Sequence, residues 1–281
     1  MPSCITPWAG SSALAGQATV VGAAGFVGAR LAARLQADGW SVWAPAKGDP
    51  ALFERDLGTV FYCAGLTADY DRRPFDTVEA HASLVSELIR ADRFERLVYC
   101  SSTRLYDGQR KDVAHEAEPL VFDPADPRRV YDLSKALGEN LTLTRTGGRG
   151  AVARLSNVYD WADGAPGFLS EWLIRARTTR DLVLESSPNI ARDYIHLDDT
   201  VEALIALGDR GQGIYNVAAG RLSTNADIAR VFERAGWWVR FTGDASPLPP
   251  PNASAERLAG LGVVARPVED VVAAYLEGLP A

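Results

Sequence analysis

The sequence has no excess of basic residues: 29 Lys and Arg stand against 36 Asp and Glu among 281 residues, a formal net charge of −7 at pH 7. Because a phosphate backbone is bound mainly through Lys and Arg, this balance argues against a nucleic-acid partner. No apolar run reaches the roughly 18 residues that a membrane span needs. Residues 1–17 contain no Lys or Arg and do not resemble a secretory signal, so we expect a loose extension on a cytoplasmic protein.

Cysteine and histidine are also scarce, with three residues of each. They stand singly along the chain, so none of them has metal-ligand spacing, and we predict no metal site. Two of the cysteines lie in apolar, strand-like runs, which indicates buried and reduced thiols. The six residues are Cys4, Cys63, Cys100, His81, His115 and His196.

Short apolar runs alternate with longer helix-like segments, which is typical of a parallel sheet with crossover helices. The strand candidates are residues 18–21, 41–44, 59–64, 97–101, 151–155 and 214–217, and the helical ones are 26–38, 74–92, 127–146 and 198–207. We therefore predict an α/β fold with a Rossmann-type, doubly wound parallel sheet and a small C-terminal substrate lobe. The sheet domain would comprise residues 18–155 and 192–218, and the lobe 156–191 and 219–281.

Three glycines follow the first strand candidate and open the first helix candidate: Gly22, Gly25 and Gly28. The first would permit the tight turn, the second would let the backbone approach a pyrophosphate, and the third would let helix and strand pack closely. The pyrophosphate would then lie on the free N–H groups of the helix that begins with Phe26 and Val27. This strand–loop–helix context predicts a dinucleotide site.

The end of the second strand candidate bears on the choice between NAD and NADP. An acidic residue there would hold the adenosine ribose, and a basic one would accept a 2′-phosphate. The chain has Ala46 where the acid would fall and Lys47 directly after it. This slightly favours NADP, the alternative being a solvated Lys47 and an NAD site that uses other contacts.

Tyr131 and Lys135 are four residues apart, hence on one face of a helix. A tyrosine has a pKa of about 10 and is a poor base at neutrality, but a cation beside it favours the phenolate. Ser102 follows a buried-looking strand and could hydrogen-bond the reacting oxygen. We predict that these three residues are catalytic; the alternative is an ordinary surface pair, because Tyr-x-x-x-Lys is frequent by chance.

With these motifs in order, the sequence resembles the extended short-chain dehydrogenase/reductase family, the NAD-dependent epimerase/dehydratase group that acts mainly on nucleotide sugars. Residues 22–28 resemble its glycine signature, and Cys63-Ala-Gly65 its Ala-Gly strand end. Residues 101–106 are similar to its serine motif, and Tyr131 with Lys135 to its catalytic pair. Residues 154–159 and 192–199 resemble its two diphosphate-binding segments.

The resemblance implies a nicotinamide cofactor, NAD or NADP, and a nucleotide-diphosphate sugar as substrate. Ala64, Tyr131 and Lys135 would contact the cofactor together with the glycine loop. Ser102 and Thr103 would contact the sugar. Asn157 and Arg192 would bind the diphosphate, since an arginine fork suits phosphate oxygens. The alternative for Arg192 is an ion pair with Asp193 or Asp198.

The sequence also departs from the family pattern at three places. Dehydratases of the family carry an Asp-Glu pair where this chain has Thr103 and Arg104, so we do not expect 4,6-dehydration. His81 stands where the family often has an asparagine near the cofactor. Only about a dozen residues separate the second strand candidate from Thr59, so one strand and helix of the usual half-domain are expected to be missing.

Three functions remain open from the sequence. The first is a redox-neutral nucleotide-sugar epimerase, acting at sugar C4. The second is a one-way NADPH-dependent ketoreductase on a keto sugar or another small carbonyl compound. The third is a non-catalytic, dinucleotide-binding regulatory protein. By analogy with the family, helices 74–92 and 127–146 would form a homodimer.

Overall fold

The computed structural model describes residues 16–67 and 69–280. The extension predicted for residues 1–17 therefore lies almost wholly outside the described residues, and Cys4 lies outside them too. In the described ranges, no helix is both long and apolar enough to cross a membrane.

Six parallel strands form the central sheet, in the order β11-β6-β4-β3-β1-β2. All the predicted strand candidates belong to it, which confirms the Rossmann-type α/β fold. In chain order the strands are β1 (Gln17–Val21), β2 (Ser41–Trp43), β3 (Thr59–Tyr62), β4 (Arg96–Ser102), β5 (Val113–Ala114), β6 (Gly150–Leu155), β7 (Asn157–Tyr159), β8 (Asp181–Leu184), β9 (Ala191–Arg192), β10 (Tyr194–His196), β11 (Gly213–Val217), β12 (Ser223–Thr224), β13 (Trp238–Phe241) and β14 (Asn252–Ala253).

Helices cover both faces of this sheet. They are α1 (Phe26–Ala37), α2 (Pro74–Val78), α3 (Leu84–Ala91), α4 (Val130–Arg145), α5 (Phe168–Arg175), α6 (Leu197–Arg210), α7 (Asn225–Arg234), α8 (Glu256–Gly260) and α9 (Val268–Glu277). A π-helical turn, Glu79–Ser83, joins α2 to α3. The 3-10 turns are Pro50–Phe53, Thr103–Tyr106 and Pro127–Arg129.

Side-chain alternation along the strands explains why both faces are covered. In β1, Val20 packs with α1 and α6, whereas the next residue, Val21, packs on the opposite face with α3. The same alternation places Phe61 and Tyr62 of β3 in different cores. Because successive side chains of a strand point to opposite faces, an apolar run is buried only between two helical layers.

Strand β2 lies at the edge of the sheet, and its connection to β3 is short. Residues 44–58 contain a single 3-10 turn, Pro50–Phe53, which buries Leu52 against the sheet. The structure thus confirms that one strand and one helix of the usual half-domain are missing. The edge next to the predicted adenosine site is formed by β2 and this turn.

A second core lies beyond the sheet, in the region predicted as the substrate lobe. It is built by α5, α7, α9 and strands β8 and β13, and its buried members include Trp172, Leu173, Phe232 and Trp237. The segment after β14 returns to the sheet, because Leu258 of α8 is buried in the sheet's own core. Part of the C-terminal segment therefore packs on the sheet and not in the second core.

Helix α4 packs very closely on β4. A Cβ atom on Gly138 would lie 2.3 Å from the hydroxyl oxygen of Tyr99 and 2.6 Å from the carbonyl oxygen of His81. The Tyr99 hydroxyl donates to this carbonyl at 2.8 Å. A side chain at position 138 would therefore push α4 away from the sheet.

We expect Gly138→Ala to lower the free energy of unfolding by about 1–3 kcal/mol, the usual cost of overpacking. Gly260→Ala is the matched control, because this helical glycine has no atom within 4 Å of the added Cβ. Alanine should there leave stability unchanged or raise it by about 0.5–1 kcal/mol. Urea unfolding of both variants measures the difference, and equal values for the two would contradict this account of α4.

Candidate active site

The glycine loop joins β1 to α1 at the carboxyl edge of the sheet. Gly22 has a φ of +87°, and a Cβ there would lie 2.7 Å from the backbone nitrogen of Ala64. A Cβ on Gly28 would lie 2.4 Å from the carbonyl oxygen of Gly22. Both positions therefore require glycine, one for its backbone conformation and the other for the contact between helix and loop.

Gly25 is the residue that precedes α1, and it is exposed. No side chain caps this helix and its first turn contains no acidic residue, so the N–H groups that begin with Phe26 and Val27 are open to an anion. A loop in which Cβ atoms would fill the space above a bare helix N-terminus fits a pyrophosphate. These residues thus fit the dinucleotide that the sequence predicted.

Tyr131 and Lys135 both lie on α4, as their spacing predicted, and each is only 4% exposed. The Lys135 ammonium donates to the carbonyl oxygen of Cys100 at 2.7 Å. A Cβ on Gly65 would lie 3.3 Å from Lys135 Nζ, and the neighbouring Ala64 packs on the glycine loop. The pair and the loop are therefore at the same edge of the sheet.

The serine motif lies at the end of β4. The Ser102 hydroxyl accepts a hydrogen bond from the backbone N–H of Arg104 at 3.1 Å and caps the turn that follows. The Thr103 hydroxyl donates to the carbonyl of Leu155 at 3.4 Å. Burial raises the pKa of Tyr131, and a side-chain hydrogen bond with Ser102 opposes that rise.

Burial dominates the electrostatics of this pair. It raises the pKa of Tyr131 above its ordinary value, while Ser102 and the cation of Arg104 act in the opposite direction. Burial also lowers the pKa of Lys135, to about 8. The Nζ of Lys135 lies over the Tyr99 ring, whereas the guanidinium of Arg104 lies over the ring of Tyr131.

Three side chains that we did not predict as site residues enclose Tyr131. His81, in the π-helical turn, makes an edge-to-face contact with its ring at 5.1 Å between centroids, and Tyr70 lies 5.3 Å away. Arg104 covers the ring at 4.9 Å. For His81 and Arg104 the available signal was their departure from the family pattern, whereas Tyr70 stands in a loop without a motif.

His81 is neutral in this setting. Its Nδ1 is 2.9 Å from the Ser134 hydroxyl, and its Nε2 accepts from the backbone N–H of Leu66 at 3.2 Å. Burial lowers its pKa to about 3, and the charge of Lys135 acts in the same direction. His81 therefore links α4 to the loop after β3 without adding a charge.

On the lobe side, the structure places the two predicted diphosphate ligands next to each other. Asn157 donates from Nδ2 to the carbonyl of Asp193, which follows Arg192. The predicted alternative, an ion pair of Arg192 with Asp193 or Asp198, is absent from the described residues: Asp198 pairs with Arg30.

The Asp193 carboxylate accepts backbone N–H groups from Ala219, Gly220 and Arg221. The Nη1 atom of Arg192 is buried and has no hydrogen-bond partner among the described residues, although its guanidinium lies over the Phe168 ring. A buried guanidinium nitrogen without an acceptor is what an anion site would require.

The remaining predicted positions carry less information. Lys47 is exposed in a turn after β2 and has no ion-pair partner among residues 16–67 and 69–280. Cys63 and Cys100 are free thiols with their sulfurs 3.7 Å apart. Over the described part of the chain, no three or more His, Cys, Asp or Glu side chains are placed to hold a metal.

The strand order, the glycine loop and the Tyr131–Lys135 pair define a Rossmann-fold enzyme of the extended short-chain dehydrogenase/reductase type. The model of the NAD dependent epimerase/dehydratase family matches residues 18–218, and the chain belongs to this family. This confirms the predicted family, the prediction of an enzyme and the nicotinamide dinucleotide cofactor.

The chain is similar to a curated protein and to solved structures. It is 31% identical over 269 residues to dTDP-6-deoxy-L-talose 4-dehydrogenase (NAD(P)(+)) of Kitasatospora kifunensis, a match that covers 81% of this chain and 82% of the relative. MoeE5 in complex with UDP-glucose and NAD superposes with a TM-score of 0.76 at 23% identity, over 93% of this chain and 97% of that one. RMD from Pseudomonas aeruginosa complexed with NADPH gives 0.72 at 24%, over 93% and 98%.

We expect Gly25→Ala to weaken cofactor binding at least about tenfold, because a methyl group would stand where the anion meets the helix N-terminus. The fold should survive, since the added Cβ meets only the Gly22 carbonyl oxygen, at 3.3 Å. Titration of NADH and NADPH fluorescence measures the affinity, and thermal unfolding checks the fold. Unchanged affinity for both cofactors would remove the loop from the binding site.

Proposed function

We propose that this enzyme interconverts an alcohol and a ketone at C4 of a nucleotide-diphosphate sugar, with net oxidation or reduction of NAD(P). The observation that carries the proposal is the position of Tyr131, Lys135 and Ser102 beside the glycine loop. The named relative supports the position and the net redox outcome, because it is a 4-dehydrogenase.

The residues of the site would have separate roles in cofactor binding and in proton transfer. Gly22, Gly25, Phe26, Val27, Gly28 and Ala64 would hold the dinucleotide, which supplies the hydride acceptor or donor when bound. Tyr131 takes the proton from the sugar hydroxyl, or returns it to the keto oxygen, and Ser102 hydrogen-bonds the same oxygen. With one hydrogen bond given to Cys100, the Lys135 ammonium keeps two donors for its ligands.

Arg192, Asn157 and Thr103 would bind the substrate. The free Nη1 of Arg192 supports a diphosphate as its ligand. Thr103 and Arg104 stand where a dehydratase would need two carboxylates. Arg104 is a cation, and Thr103 cannot act as an acid–base group at neutral pH. The substrate is therefore expected to change only by hydride and proton transfer.

A C4 epimerase, one of the functions that the sequence leaves open, is the second candidate. It would use Tyr131 twice, first to oxidise the sugar and then to reduce the keto sugar on its other face. Its support is the family itself, whose model describes epimerases. The two candidates use the same residues. They differ in whether turnover changes the oxidation state of the sugar, which the first reaction does and epimerisation does not.

We expect Tyr131→Phe to lower turnover by at least about 100-fold, since positioned acid–base catalysis contributes 10²–10⁴. Cofactor affinity should stay within about twofold, because the phenol acts on the substrate oxygen. Asn140→Ala, at an exposed position of the same helix, is the control for helix perturbation. A variant that turns over at the wild-type rate would refute the role of Tyr131.

Net redox can be separated from epimerisation by stoichiometry. We expect one NAD(P)H to be consumed or formed for each dTDP- or UDP-linked 4-keto or 4-hydroxy sugar converted, read as absorbance of the reduced cofactor. An epimer formed without net cofactor change would instead establish the epimerase. Running NADH and NADPH in parallel, with Lys47→Ala as comparison, tests the proposed slight preference for NADP.

We also propose that the enzyme is a homodimer formed through α2 and α4. Exposed apolar side chains gather on these two helices: Phe75, Val78, Leu133 and Leu137. Apolar patches on paired helices favour association. Light scattering would report the mass.

A further inference from the structure

The guanidinium of Arg104 lies between two tyrosine rings. Its central carbon is 4.9 Å from the ring centroid of Tyr131 and 4.4 Å from that of Tyr70. Its Nη2 donates to the Tyr70 hydroxyl at 2.6 Å, and its Nε is 3.5 Å from a carboxylate oxygen of Asp132. Arg104 is thus fixed from two sides while its flat face covers the tyrosine of the site.

The anchors of Arg104 are themselves firmly held. Asp132 is completely buried and accepts a hydrogen bond from Arg129 at 2.9 Å through its other oxygen. Tyr70 packs its ring against Tyr131 as well. A planar cation held over an aromatic face attracts the ring electrostatically, and the attraction grows when the ring gains negative charge.

The other charged and titratable groups around Tyr131 do not replace this cation. Lys135 is bound to the Cys100 carbonyl and lies over the Tyr99 ring. His81 is neutral above pH of about 3. Asp132, on the same helix, opposes the phenolate, and the Ser102 hydroxyl favours it.

We propose that Arg104 is a positioning residue, which holds the ring of Tyr131 in the site and stabilises its phenolate form. The proposal rests on the function proposed above insofar as Tyr131 moves the proton. The cation that lies over Tyr131 thereby comes from the turn after β4. Removing the charge must then make Tyr131 harder to ionise.

The test is a titration of Tyr131 by nuclear magnetic resonance, in protein labelled with ¹³C at the tyrosine ζ carbon and saturated with NADP⁺. The resonance is assigned by its loss in Tyr131→Phe. In Arg104→Gln we expect the acid dissociation constant of Tyr131 to fall about tenfold, because a nearby opposite charge is lost. Arg104→Lys should restore part of the lost acidity of Tyr131. Tyr70→Phe, which frees the guanidinium, should lower the acid dissociation constant of Tyr131 by a smaller factor.

Arg110→Gln is the matched control, since it removes an exposed arginine from the same segment. If Arg104→Gln leaves the Tyr131 titration within error of the control, the proposal is overturned, whatever happens to the rate. Should Arg104→Gln fail to fold, Tyr70→Phe decides the result in the same way.

Activity provides a second readout. For oxidation of the sugar alcohol, the acid limb of kcat/KM should move to higher pH in Arg104→Gln, since the phenolate forms later, and kcat should fall more than KM changes. An acid limb that does not move would contradict the proposal. If no nucleotide sugar is turned over, the function proposed above fails, but the titration still decides the role of Arg104.

Discussion

The close packing of α4 on β4 positions most of the site. Gly138 leaves room for the Tyr99 hydroxyl, and Lys135 reaches the carbonyl of Cys100 only because the helix lies that near. Further along α4, Glu139 forms a buried two-pronged ion pair with Arg154 of β6, at 2.8 and 2.6 Å. Since breaking a buried pair leaves an uncompensated charge, this contact strongly resists sliding of the helix. These contacts of α4 fix the position of Tyr131.

The same packing buries the two ionisable groups Tyr131 and Lys135, which disfavours their charged forms. Burial disfavours the charged form of any group, so it raises the pKa of Tyr131 and lowers that of Lys135. A tyrosine that must release its proton near neutrality needs the opposite shift. In this chain Ser102 and Arg104 act in that direction and oppose the effect of burial.

The sequence predicted the features whose signals are local. The glycine loop, the Tyr131–Lys135 spacing and the apolar strands lie within single segments, and the short link before Thr59 exposed the missing strand by its length. The enclosure of Tyr131 could not be predicted in this way, because His81 and Arg104 come from separate elements 50 and 27 residues before it in the chain. A π-helical turn such as the one that contains His81 has no characteristic amino-acid composition. The direction in which Arg104 points depends on the turn capped by Ser102.

The lobe shows how an arginine can lack an ion pair, over the described part of the chain, although a carboxylate is its neighbour in sequence. Asp193 directly follows Arg192 and would neutralise it in an ordinary surface strand. Instead, its two oxygens accept three consecutive backbone N–H groups from residues 219–221, and Asn157 binds the Asp193 carbonyl. Those N–H groups supply the hydrogen bonds that the carboxylate would otherwise take from the guanidinium. The Nη1 atom of Arg192 is buried and has no partner among the described residues. Such an atom costs free energy unless a ligand accepts from it, which makes Arg192 a better anchor for an anion than an exposed arginine would be.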